Sequence, residues 1–212
     1  MLGIAGYGGF LLSSILLNIT PGADTIYILS KSMVGGRKKG IVSALGISTG
    51  ILIHTVLASL GLSVILARSA LAFTLMKFLG AGYLIVMGIR TLLSKDSVLA
   101  VDAPGETAES TWKIYRQGVL TNALNPKVAL FFLALLPQFV SADNPYGPLP
   151  FLLLGLSFFT TSTLWCVFIA FISSFVSRLL KKNKKVQMLA SKMTGVVYIA
   201  LGLNVLRAKL EA

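Results

Sequence analysis

Leu17–Ser30 reads LNITPGADTIYILS and closes the first apolar run of the chain. It sets a Pro-Gly pair, Pro21 and Gly22, and a lone carboxylate, Asp24, inside a segment apolar enough to cross a membrane. Proline lacks the backbone N–H and its ring clashes with the preceding turn, so a helix must kink or break there. In hydrocarbon, freed backbone groups and a charge persist only where they face protein, water or a ligand. The stretch therefore reads as a broken membrane helix and as a candidate site.

Composition agrees. The 212 residues are 55% hydrophobic and 12% charged, and the mean hydropathy is +0.84. A soluble domain carries about 25% charged residues, and the apolar residues here come in long uninterrupted runs, as in an integral membrane protein. The formal net charge of +12 does not point to nucleic acid, because Lys and Arg sit in short clusters between apolar runs. That placement is the mark of anchoring on the cytoplasmic side. Cys166 is the only cysteine, which excludes an internal disulfide, a CxxC pair or a thiolate cluster. The first run has no basic region before it and continues past any plausible cleavage point, so it reads as a retained span rather than a signal peptide.

A bilayer core takes roughly 20 apolar helical residues to cross, and six runs qualify: about Ile4–Leu29, Ile41–Leu66, Leu71–Leu93, Gly118–Val140, Leu149–Val176 and Met188–Leu206. The fourth is interrupted by Asn125-Pro126-Lys127 and again near Pro137-Gln138. The one real linker, about residues 94–114, holds Pro104-Gly105 and the acids Asp96, Asp102, Glu106 and Glu109. Its composition predicts a flexible polar cytoplasmic loop. The loops after spans one, three and five carry fourteen basic residues, against four on the other side, with Lys127 inside a span. By the positive-inside rule both termini are expected outside the cytoplasm.

The third and sixth spans share a signature: Lys77, Gly80 and Tyr83 match Lys192, Gly195 and Tyr198, each offset by 115 residues. Asn18, Thr20 and Pro21 match Asn122, Asn125 and Pro126 more loosely. The chain thus reads as one transmembrane domain of two three-span repeats, about residues 1–93 and 115–212. Three is odd, so the second repeat is inverted. Inverted repeats with interrupted helices in corresponding positions point to a secondary transporter.

A broken helix presents free N–H groups at one new end and free C=O groups at the other, which suits the two charges of an amino acid. The candidate substrate-binding residues are Asn18, Thr20, Pro21, Gly22 and Asp24 at the first break, and Asn122, Asn125, Pro126 and Lys127 at the second. Asp24 and Lys127 are expected to clasp a zwitterion or to pair with each other. The alternatives are a helix-capping carboxyl for Asp24, a snorkelling side chain for Lys127 and simple satisfaction of freed backbone for the asparagines. Thr20 is a candidate cap of the second half-helix. Asp24 and His54 are the candidate proton-coupling groups, His54 with packing as its alternative. Tyr83 and Tyr198 either line a path or bond between helices. Gly35–Gly40, GGRKKG, reads as a tight basic cytoplasmic turn, and Gly46, Gly50, Gly80 and Gly82 as close-packing faces. There is no phosphate-binding loop for ATP and no metal-ligand cluster. No enzyme activity, cofactor or metal is expected.

Thr20–Gly50 (TPGADTIYILSKSMVGGRKKGIVSALGISTG), Lys77–Leu92 (KFLGAGYLIVMGIRTL) and Tyr115–Val140 (YRQGVLTNALNPKVALFFLALLPQFV) together resemble the LysE/RhtB family of lysine exporters and homoserine/threonine efflux proteins. The likeness covers nearly the whole chain in order. The first motif departs from the commoner GPxN or GPxP form. The resemblance implies six helices per subunit, homo-oligomers, the bacterial inner membrane, and export of amino acids or close derivatives driven by the proton gradient. The rival readings are export of a cation or other small organic ion, and a membrane enzyme or assembly subunit. The expected partners are an amino-acid substrate, protons and membrane lipid.

Overall fold

The structure, a computed structural model, describes residues 2–62, 70–94, 109–141 and 143–207. Most of the acidic linker, with Asp96, Asp102, Pro104-Gly105 and Glu106, lies outside the described residues, as do Arg68, Lys95 and Lys209.

The described chain is helical, apart from a single bridge between Ile4 and Val140. Its helices are α1 (Tyr7–Ile19), α2 (Ala23–Leu57), α3 (Ala70–Leu93), α4 (Thr111–Ala123), α5 (Pro126–Leu130), α6 (Leu149–Lys182) and α7 (Lys184–Arg207). A π turn over Ala58–Leu62 extends α2. A π turn over Phe131–Leu135 and a 3-10 turn over Leu136–Phe139 extend α5. Among the described residues three helices are long and apolar enough to cross a membrane: Gly35–Gly61, Leu149–Ser173 and Lys184–Arg207. Two bent pairs raise the number to five, Tyr7–Ile19 with Ala23–Met33 at 45° and Thr111–Ala123 with Pro126–Phe139 at 43°. Large apolar side chains face outward, Leu79 of α3 at 73% and Leu164 of α6 at 68% exposure. In water such a surface would aggregate, whereas in lipid it is solvated.

The basic GGRKKG segment is tighter than the turn its sequence announces. Only Gly36 leaves helical geometry, with φ 69° and ψ −173°. The partners of α4 show that the chain reverses at this residue. Before it, Asp24 meets Asn122 while Tyr27 meets Gln117 and Lys31 meets Glu109, so the arm Ala23–Met33 runs antiparallel to α4. After it, a Cβ on Gly46 would lie 3.1 Å from the Gly118 Cα and one on Gly50 would lie 2.6 Å from the Asn122 Cβ, so the second arm runs parallel to α4. The run RLLKKNKK likewise forms no open loop. Helix α6 continues to Lys182. Asn183 then caps α7, its Oδ1 accepting from the Lys185 and Val186 amides.

Helices α3 and α7 pack antiparallel through glycine. A Cβ on Gly195 would lie 2.8 Å from the Gly88 carbonyl oxygen, and one on Gly202 would lie 2.9 Å from that of Ala81. Between water-free surfaces it is this close backbone approach, not hydrophobic burial, that holds helices together.

The two bent pairs lie antiparallel along their whole length. At one end the Ala5 amide donates to the Phe139 carbonyl at 2.9 Å, and Phe10 packs against Phe131 and Phe139 with ring centroids 5.8 and 5.5 Å away. At the other end lies the Lys31–Glu109 ion pair. The two breaks face each other midway.

Candidate functional site

The site is assembled where the breaks cross. At the first, α1 stops at Ile19, and its last carbonyls have no helical partner. Thr20 does not cap the second half-helix as its sequence position suggested. Its hydroxyl donates back to the Leu16 carbonyl at 2.6 Å, and Gly22 holds the N-cap position of α2 without a side-chain bond. Pro21 turns the chain between them, and Asp24 follows in the first turn of α2, where the helix dipole favours a negative charge.

At the second break Asn125 is the N-cap of α5, with Pro126 in the first helical position. Its Oδ1 accepts from the Lys127 amide at 3.0 Å, while its Nδ2 donates to Asp24 Oδ2 at 3.1 Å. Asn122 adds a second donor to the same oxygen, Nδ2 to Asp24 Oδ2 at 3.0 Å. Asn122 and Asn125 are buried, so the amides of one broken span clamp the carboxylate of the other. The second carboxylate oxygen, Asp24 Oδ1, is buried and has no partner. A buried acceptor without a donor is costly, and it is relieved by any ligand that brings an N–H or O–H group.

Lys127 is 6% exposed and does not ion-pair with Asp24. Its ammonium donates to the Leu17 carbonyl at 3.0 Å and the Thr20 carbonyl at 2.8 Å. It therefore fills the negative end of α1, the place where the sequence alone put a substrate ammonium. Gly22 lies alongside it, where a Cβ would stand at ordinary van der Waals distance, 3.4 Å, from Lys127 Nζ. The opposite charges of Asp24 and Lys127 still act on each other through space.

His54 is buried beside this group, its Nε2 donating to the Asn122 carbonyl at 3.1 Å and its ring stacked on Phe132 at 5.6 Å. A carbonyl only accepts, so Nε2 carries a proton. The ring lines a cavity of about 260 Å³ with Leu57, Ala58, Gly61, Ala129, Phe132 and Leu133. Both π turns border that cavity. Asn18 is turned away from Asp24; its Nδ2 donates to Thr161 Oγ1 at 3.2 Å beside an apolar groove of about 400 Å³. Tyr198 is 2% exposed in the interior, whereas Tyr83 is 43% exposed.

Five neighbours of the site were not singled out as such in the sequence. Gly50 is where Asn122 seats, with a would-be Cβ 2.8 Å from Asn122 Oδ1. Tyr27 and Gln117 form a further polar contact between the two spans, and Lys31–Glu109 closes their end. Asp24, Tyr27 and Lys31 follow the i, i+3, i+7 rhythm of one helix face, and that spacing was the available signal.

A family model described as LysE type translocator matches residues 15–209, the breaks and all the elements of the site included. The chain belongs to the LysE type translocator family. It is therefore a membrane transporter and not an enzyme. Over 196 residues it is 32% identical to YrhP, an uncharacterized membrane protein of Bacillus subtilis (strain 168), covering 89% of this chain and 92% of the relative. An uncharacterized membrane protein of Vibrio cholerae is 28% identical over 200 residues, covering 94% and 96%. The homoserine/homoserine lactone efflux protein of Salmonella typhimurium is 34% identical over 136 residues, covering 64% of this translocator and 65% of that protein. No solved structure matches this chain.

Proposed function

We propose that this translocator is a proton-coupled secondary exporter of amino acids or their derivatives in the bacterial inner membrane, working by alternating access around Asp24. The observation that carries the reading is the clamped Asp24 carboxylate at the crossing of two broken spans, with one buried oxygen lacking a partner. A primary ammonium or a proton supplies what that oxygen lacks. Homoserine and its lactone, for which the Salmonella relative is named, both carry an amine and are the first compounds to try.

In this reading α3, 24 residues and so about 36 Å long, also crosses the membrane and brings the spans to six. The chain is then two inverted halves of three spans, and the basic ends face the cytoplasm. The antiparallel bent pairs and the antiparallel α3–α7 contact support the inversion. Substrate ammonium occupies Asp24 Oδ1 from the inside, and a proton replaces it from the outside. His54 is the relay toward the outer cavity, because its Asn122 contact links it to the Asp24 clamp.

The test is export from proteoliposomes loaded with labelled amino acids, homoserine and homoserine lactone, with and without a proton gradient. At least one amine is expected to leave in a gradient-dependent way. Asp24→Asn is expected to lower that export at least about tenfold, roughly 1.4 kcal/mol of lost interaction, and to flatten its pH dependence. Wild-type rate and pH profile in Asp24→Asn at equal abundance would sink the proposal.

A further inference from the structure

The seam between Ala23–Met33 and α4 carries a ladder of polar contacts from the site to the basic end of the molecule. Asp24 meets Asn122 and Asn125 at its top. In the middle the Tyr27 hydroxyl donates to the Ile114 carbonyl at 2.7 Å and stands 3.4 Å from Gln117 Oε1. At the mouth Glu109 accepts from Lys31 and lies 3.4 Å from Lys113 Nζ. The Lys31 ammonium sits 5.5 Å from the Tyr27 ring centroid and so ties the two lower contacts together.

The other half of the same antiparallel crossing is built differently. From the breaks outward it is filled by Phe10, Phe131 and Phe139, with Phe158 4.6 Å behind Phe131. The second arm of α2 meets α4 through glycine at Gly46 and Gly118. The aromatic half is a packing of rings; the second arm adds to its glycine contact two hydrogen bonds, Thr49 Oγ1 with the Tyr115 hydroxyl at 2.9 Å and His54 Nε2 with the Asn122 carbonyl at 3.1 Å, but no ion pair among the described residues. Polar side chains in a membrane seam are expensive and add little to helix association. Their use is that each can exchange its protein partner for water or a passing ligand without leaving an orphan group.

We propose that this seam is the inner half of the translocation route, with Lys31–Glu109 as its latch and Tyr27 and Gln117 as the residues that contact, and select, the substrate between latch and Asp24. The proposal rests on the exporter reading above and adds where the substrate passes. When the latch parts, Lys31 and Lys113 turn to water at the membrane boundary, and the Tyr27 hydroxyl and the Gln117 amide are freed for the polar groups of the substrate. The Phe10–Phe131–Phe139 cluster keeps the opposite end shut meanwhile.

Two measurements decide it. In the full chain, Lys31→Cys/Glu109→Cys is bridged with a short bifunctional methanethiosulfonate and then reduced; each single-cysteine variant and the unsubstituted protein, whose Cys166 is buried, are the controls. Bridging is expected to lower export at least about tenfold, reversibly, in the double variant alone. Export that continues at the unbridged rate overturns the latch. Independently, Gln117→Cys is labelled with an impermeant thiol reagent in inside-out membranes. Labelling is expected to quicken about tenfold in Glu109→Lys and to return toward the starting rate in Lys31→Glu/Glu109→Lys. Equal labelling in all three overturns the proposal, and this arm reads out even if the double-cysteine protein fails to insert. If the unsubstituted protein exports no amine, the function reading has failed, while the labelling still judges the seam.

Discussion

At the scale of single residues, the site turns on how two buried charges are satisfied without touching. Lys127 answers the open carbonyls of α1, so its loss leaves them bare as well as removing a charge from beside Asp24. Lys127→Met is expected to destabilise the protein by roughly 3 kcal/mol, read as a fall in unfolding temperature in detergent. Gly50 makes a sharper prediction. Its neighbour is the Cβ and Oδ1 of Asn122 rather than the tip of a flexible chain, so Gly50→Ala has to displace Asn122 and with it one donor to Asp24. The expected cost is about 1–3 kcal/mol of stability, together with export reduced at equal membrane abundance. A Gly50→Ala protein that exports normally would show that the Asn122 bond is dispensable.

At the scale of elements, each break has its own chemistry. The first is made by Pro21 and an extended Gly22, with Thr20 folded back on the helix it ends. The second is made by Asn125, which caps α5 and holds Asp24 with the two ends of one amide. Gly36 is the element on which the reversal of α2 depends. Its φ of 69° with ψ −173° lies in a region essentially confined to glycine, which costs a residue with a Cβ about 1–3 kcal/mol. Gly36→Ala and Gly36→Asn are both expected to lose that much stability, since asparagine's tolerance extends to the left-handed helical region and not to a ψ near 180°; thermal unfolding of the two beside the unsubstituted protein is the check.

For the whole molecule, the polar seam and the aromatic end of the same crossing make the two sides of the membrane unlike. Glu109 lies at the basic mouth, outside the spans. The hydrogen bond from Lys31 foremost, then its charge and the contact with Lys113, hold the Glu109 carboxyl below the usual carboxylate range, against the opposing effect of burial. A depressed folded value means that the latch contributes its full stabilisation above the ordinary glutamate pKa of about 4.3 and loses it as pH falls through the lower folded value. The distance between spin labels on Met33→Cys and Trp112→Cys is therefore expected to stay constant from neutral pH to about pH 5 and to lengthen only in stronger acid.

Apolar runs, proline positions and the order of motifs were enough for the membrane class, the two breaks and the family, while the partner they offered Asp24 was Lys127. Class, breaks and family are written in local patterns: apolar length, proline position, charge clusters and an internal likeness between Lys77–Tyr83 and Lys192–Tyr198. Tertiary structure decided what the breaks hold. Nothing in the sequence near Lys127 says that its ammonium reaches Leu17 and Thr20, more than a hundred residues earlier, instead of Asp24. Nor does the run from Asp24 to Lys31 reveal, without α4 beside it, that its polar face is matched by Asn122, Gln117 and Glu109. A side chain buried in a membrane takes the partner that the crossing of helices brings within about 3 Å. That crossing is set by the glycine contacts and by the reversal at Gly36, not by the residues that carry the charge.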